Sequence, residues 1–171
     1  KMKELGMNTL KLFTTYSDSD RRTYDKEIIQ LLKLSKQYHF LIMAHIENDD
    51  LIQLDDSFTY KDLTISRPAL SELTEALKLA EYTRQTQGYM YMVHLSSGKT
   101  LEALIHNYPD ILNKHFFVES CPQYFTFNKD TLKRKDGFLY TFAPPLRTEQ
   151  ERKLLLKYHD AVYTIGTDHC A

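Results

Sequence analysis

Five short apolar runs, alternating with segments of helical period, constrain this chain more than any other feature. Residues 9–14, 40–45, 89–94, 115–119 and 161–166 read as strands, and residues 24–38, 68–87, 99–108 and 149–158 carry helical spacing. Pro68 suits the first turn of its helix and Gly88 its end. A polar loop is expected over 47–66 and an irregular segment over 122–147. The order is β-α-β-α-β-α-β-α-β. The strands are apolar rather than alternating, which predicts a parallel sheet buried on both faces. A doubly wound sheet and a (β/α)8 barrel both satisfy that pattern. Residues 1–6 read as a last helical turn stopped by Gly6, and a strand lies just before the end. The 171 residues are therefore expected to be one fragment of a longer domain.

The bulk composition excludes more than it selects. With 42% hydrophobic and 26% charged residues the chain suits a globular fold, and its net charge of -1 offers nothing to nucleic acid or anionic lipid. No apolar run approaches the ~18 residues of a membrane helix. Cys121 and Cys170 are far apart and form no C-x-x-C pair, which argues against a zinc ribbon or a disulfide framework. With no signal-peptide pattern present, a reducing, cytoplasmic compartment is expected.

Chemistry concentrates at the ends of the strands. Lys11 lies within the first, His45 ends the second, His94 ends the third, and Asp168 follows the fifth. In a parallel barrel those edges share one face, the face that carries active sites. Singly, each has a plainer role: core histidine, turn cap, or snorkelling lysine. Together, an ammonium, two imidazoles and a carboxylate on one rim suit a divalent cation. Lys11 is the most telling, since a buried, unpaired ammonium is disfavoured by several kcal/mol. It can lose its proton, or react as the neutral amine with carbon dioxide to give an anionic carbamate.

Six stretches then carry a resemblance: Leu10-Lys11-Leu12-Phe13-Thr14-Thr15-Tyr16, Met43-Ala44-His45-Ile46-Glu47-Asn48, Val93-His94-Leu95-Ser96-Ser97, Glu119-Ser120-Cys121-Pro122-Gln123-Tyr124, Ala143-Pro144-Pro145-Leu146-Arg147 and Gly166-Thr167-Asp168-His169-Cys170. In this order the chain resembles the hydantoinase and dihydropyrimidinase family of the amidohydrolase superfamily. The resemblance implies an α/β fold: a partial (β/α)8 TIM-type barrel, about strands four to eight. It implies hydrolysis of hydantoin or dihydropyrimidine rings to N-carbamoyl amino acids, with two divalent metal ions, zinc being usual. Lys11 matches the carboxylated lysine that bridges the metals, so carbon dioxide is a further requirement. His45 and His94 match the ligands of the second metal. Asp168 matches a ligand of the first that also serves as general base, and Tyr16 matches the tyrosine that supports the oxyanion. Tyr16 and Ala143 match substrate-binding positions, although many relatives have serine where this chain has Ala143. The family's His-x-His pair is absent from these residues, so the chain alone is expected to be inactive or nearly so. A homo-oligomer acting on a small cyclic amide is expected. Dihydroorotase or allantoinase activity, and a non-catalytic relative acting in assembly, are the alternatives.

Other signals weigh less. Ser96-Ser97-Gly98-Lys99-Thr100 looks like the end of a phosphate-binding loop, but Val93 stands where that loop needs glycine. A small-anion contact at that helix N-terminus stays open. His39, His106, His115 and His159 are expected at the surface or at caps. Cys121 and Cys170 are expected near the site, without a role as ligands.

Overall fold

The apolar runs become strands and the helical-period segments become helices in a computed structural model that describes residues 3–169. In chain order the elements are β1 (Thr9–Phe13), α1 (Asp25–Tyr38), β2 (Leu41–His45), α2 (Leu63–Ser66), α3 (Ala69–Thr86), β3 (Met90–Leu95), α4 (Gly98–Asn107), β4 (Phe116–Ser120), α5 (Pro122–Thr126), α6 (Glu149–Lys157) and β5 (Thr164–Ile165). The sheet order is β1-β2-β3-β4-β5, every pair parallel. Such strictly sequential order is what a (β/α)8 barrel requires. A doubly wound sheet reverses its order partway and carries helices on both faces. The chain is therefore one five-stranded arc of a barrel.

The register assigns the two faces. Leu10, Ile42, Met90 and Phe116 form one row, and Leu12, Ala44, Met92 and Val118 the next but one. Most of these side chains are wholly buried, together with Ile28 and Leu32 of α1, Ala76 and Leu79 of α3, Leu101 and Leu104 of α4 and Leu155 of α6. The intervening row, Lys11, Met43, Tyr91 and Phe117, lies on the opposite face and is partly or largely exposed. Burial on both faces was the expectation from sequence. The observed burial falls on the helix side, because these five strands do not close around their inner face. Among the described residues, no helix is long and apolar enough to cross a membrane.

Local chemistry sets the boundaries. Ser97 caps α4 and Thr148 caps α6, each side chain accepting a backbone N–H of the first turn. Pro68 is the residue preceding α3 rather than its first turn, and Gln87, not Gly88, takes the left-handed conformation at its end (φ 56°). Gly88 is needed for another reason: a Cβ there would lie 2.3 Å from the Leu32 carbonyl oxygen, where α1 crosses. The segment expected as a polar loop contains α2 and two 3-10 turns, Asp49–Leu51 and Tyr60–Asp62. Residues 122–147 likewise contain α5 and two further 3-10 turns. The final strand is shorter than the spacing predicted, only Thr164–Ile165, after a 3-10 turn at His159–Ala161.

Candidate functional site: a histidine pair at the open rim

His45 ends β2 on the inner face, in register with Phe13. His94 reaches the same place by a less direct route. Strand alternation would turn it, like Met90 and Met92, toward the helices. Instead Met92 pairs with Val118 and Leu95 with Ser120, so three steps on β3 face two on β4. The extra residue is a β-bulge, a device that re-aims side chains beside active sites. Here His94 takes φ 43°, a left-handed conformation that is uncommon outside glycine. Its ring then meets that of His45, centroids 4.6 Å apart.

The facing atoms are His45 Nδ1 and His94 Nε2, at 3.0 Å. His45 Nε2 lies 2.6 Å from Glu47 Oε2, and a carboxylate there holds the proton on Nε2 and leaves the Nδ1 lone pair free. Glu47 is wholly buried and also accepts from Arg67, through Nη2 at 2.6 Å and Nε at 3.1 Å. Burial alone would raise the Glu47 carboxyl, but hydrogen bonds and charge from His45 and Arg67 outweigh it and bring it down to about 2. Burial, then the charges of His45 and Lys11, hold His94 down to about 3, so its ring is neutral. His94 Nδ1 is buried without a hydrogen-bond partner. Two nitrogens on one tetrahedral ion, each ~2.0–2.1 Å from it, lie about 3.3 Å apart. The observed pair is close to that edge, and the His94 ring is in the neutral form a metal requires. The donor set fits a borderline divalent cation.

Lys11 lies one inner-face row deeper than His45, ~7 Å along the strand. It is exposed, with Nζ 5.4 Å from the centroid of the Phe13 ring. The buried, unpaired ammonium inferred from sequence is thus not what the fold presents, because the inner face is open. Partial desolvation against the sheet still pulls its pKa below the usual lysine value, opposed by Asp168 and Glu119. Asp168 follows β5 in a left-handed conformation (φ 50°) and is exposed. Among the described residues, no three His, Cys, Asp or Glu side chains converge as a metal-binding group. The structure brings together the two imidazoles, keeps Lys11 on their face, and leaves Asp168 apart, beyond the last strand.

Tyr16 follows β1 with φ 71°. Its ring packs 5.3 Å from that of His45, and the Arg67 guanidinium lies 4.9 Å from its centroid. Burial keeps its hydroxyl protonated, raising the pKa above the usual tyrosine value. A cleft of about 270 Å³ opens beside it, lined in part by Asp49, Ile52, Leu54 and Arg67. Ala143 begins the cis Ala143–Pro144 bond, and Tyr124 Oη donates to Pro144 O at 2.7 Å, tying this segment to α5.

The open question at the α4 N-terminus has a definite answer. Ser96 N and Ser97 N donate to Glu72, and Lys99 N donates to Glu151. Both carboxylates are buried, so the protein's own side chains occupy the place an anion would take. Arg147 completes the cluster, with Nη2 3.7 Å from Glu72 Oε2 and Nε donating to Ser96 Oγ. Its Nη1 donates to the carbonyl of Arg67, linking this cluster to the residue that holds Glu47. Cys121 is buried and its thiol is pushed up to about 12, first by desolvation. Cys170 lies outside the described residues. Sequence reasoning missed Glu47 and Arg67 as parts of the site. The signal for Glu47 was present as a carboxylate two residues after His45, but Arg67 stands twenty residues further on.

An arc of parallel barrel with paired imidazoles at the C-terminal ends of its strands defines the class as a (β/α)8 protein with a rim site. Among solved structures, the chain superimposes on D-hydantoinase from a Bacillus sp. AR9 with a TM-score of 0.89 at 22% identity, covering 99% of this chain and 39% of that one. D-hydantoinase (dihydropyrimidinase) from Thermus sp. gives a TM-score of 0.87 at 25% identity, covering 99% and 39%. By sequence it is 29% identical to a D-hydantoinase of Rhizobium radiobacter and 30% identical to a D-phenylhydantoinase of Escherichia coli O9:H4 (strain HS). Those alignments cover 98% and 99% of this chain and 38% of each relative. The chain matches no protein-family model. It is a relative of the D-hydantoinases and dihydropyrimidinases, and spans under two-fifths of the length of the relatives named here.

Proposed function

We propose that this chain forms part of a hydrolase that opens cyclic amides of the hydantoin or dihydropyrimidine type, with a divalent metal at the histidine pair. The carrying observation is the 3.0 Å approach of His45 Nδ1 and His94 Nε2, with Glu47 fixing the His45 tautomer, in a relative of hydantoinases. His45, His94 and Lys11, the last as its carbamate, would hold one ion; Asp168 would serve a second, which the described residues do not otherwise complete. A bound divalent ion supplies Lewis-acid polarisation of the ring carbonyl and a water of lowered pKa.

The chain's own residues account for the rest. Tyr16, protonated at neutral pH, donates a hydrogen bond to the carbonyl oxygen as negative charge develops on it. Asp168 accepts the proton of the attacking water and delivers it to the ring nitrogen as the C–N bond breaks. The product is an N-carbamoyl amino acid. Glu47, held by Arg67, keeps the His45 imidazole oriented.

Cobalt(II) titration followed by visible absorption tests the reading. A tetrahedral d–d band that saturates at one ion per chain and is lost in His45→Ala and His94→Ala is the expected result. No binding by the unsubstituted chain would refute it. Turnover is expected to be slow, because the described residues complete the shell of only one ion. Among hydantoin, dihydrouracil, dihydroorotate and allantoin, the first two should be opened fastest with metal and bicarbonate present.

A further inference from the structure

Glu119 has no part in the reading above, yet it touches the device that makes the histidine pair. It lies on β4 at the inward position after Phe117. Its Oε2 accepts from Tyr91 Oη at 2.6 Å, and Tyr91 Oη also meets Thr164 Oγ1 on β5. Its Oε1 accepts the backbone N–H of His94 at 3.1 Å. The β3 bulge takes that N–H out of the regular ladder between β3 and β4, and an orphaned N–H is one reason a bulge relaxes. Relaxation to regular alternation would turn His94 toward the helices and away from His45. Room for the carboxylate comes from Gly166, where a Cβ would lie 2.7 Å from Glu119 Cδ. The same carboxylate acts electrostatically on Lys11.

We propose that Glu119 is a positioning residue for the histidine pair: it holds the β3 bulge through the His94 amide and so presents both imidazoles to one divalent cation. The inference rests on the metal-binding reading for its function, and on the backbone geometry alone for its mechanism. Tyr91 and Gly166 fix the carboxylate from either side.

Two measurements on Glu119→Ala, Glu119→Gln and Gly166→Ala test it. The first is amide hydrogen exchange at His94 in metal-free protein, with Leu104 of α4 as reference. The second is the dissociation constant for Zn2+, by competition with a chromophoric chelator. Glu119→Ala is expected to speed His94 exchange at least ~tenfold with Leu104 unchanged, and to weaken Zn2+ binding by about 10–100-fold. Glu119→Gln keeps a carbonyl acceptor and should restore most of both. Gly166→Ala displaces the carboxylate without removing it and should resemble Glu119→Ala. Equal acceleration at His94 and Leu104 would mean general loosening and overturn the proposal, as would unchanged exchange and affinity in Glu119→Ala. If the unsubstituted chain binds no Zn2+, the metal reading fails, while the exchange comparison still decides what Glu119 does.

Discussion

Replacing Glu47 with alanine should be among the most destabilising single changes in this chain. Glu47 is wholly buried and bonded to His45 and Arg67, and the Arg67 side chain is itself only 11% exposed. Removing one partner of a buried ion pair strands the other, which is typically worth ~3–5 kcal/mol. A second route gives a similar figure. The fall of the Glu47 pKa from 4.5 to about 2 corresponds to ~3 kcal/mol favouring the folded state. A depressed carboxyl pKa gives stability that is present above the unfolded value and lost as pH falls. This contribution should therefore be complete above about pH 5 and fade toward pH 2. Urea denaturation at neutral pH, followed by circular dichroism, should show Glu47→Ala losing ~3–5 kcal/mol, and thermal melts a drop of ~6–20 °C. Glu47→Ala with Arg67→Ala should lose less than the two separate losses added, because the stranded guanidinium is gone. A loss under about 1 kcal/mol, the range of an exposed pair, would refute the assignment of Glu47 as a buried anchor.

Other outcomes follow from the same structure. Gly88→Ala places a methyl 2.3 Å from the Leu32 carbonyl and should destabilise by ~1–3 kcal/mol in urea; a neutral effect would mean that α1 and α3 separate easily. Cys121, with its thiol raised to about 12, should resist maleimide at pH 8 in folded protein and react once unfolded. Since the unfolded thiol ionises near 9, stability should also fall as pH rises from there toward 12. Inorganic phosphate should leave the melting temperature unchanged, because Glu72 and Glu151 already bind the N–H groups of the α4 turn; a concentration-dependent rise would contradict that.

The rim was legible in part. His45 closes an apolar run, which placed it at a strand end, while its facing came only with the sheet register. Regular register would turn His94 toward the helices, and only the bulge corrects it. Lys11 was legible as a lysine within an apolar strand, but neither in its facing nor in its exposure, which depend on the register and on how much of the inner face is covered. The P-loop-like Ser96–Thr100 turn does not read as a nucleotide loop, and whether it contacts a small anion was not legible in sequence for a related reason. Its helix N-terminus does bind carboxylates, but they come from Glu72 and Glu151, which are remote in sequence.

The sequence by itself determined which segments are strands and which are helices, and that the strands run parallel, since periodicity and caps act over a few residues. It also determined the residue types available at the strand ends. The tertiary structure decided sheet order, the single covered face, the turn of His94 toward His45, and the Glu47–Arg67 anchor beneath them. Those rest on hydrogen bonds and ion pairs between groups 20–49 positions apart, whose partners are chosen by the packing of the whole sheet rather than by any local pattern.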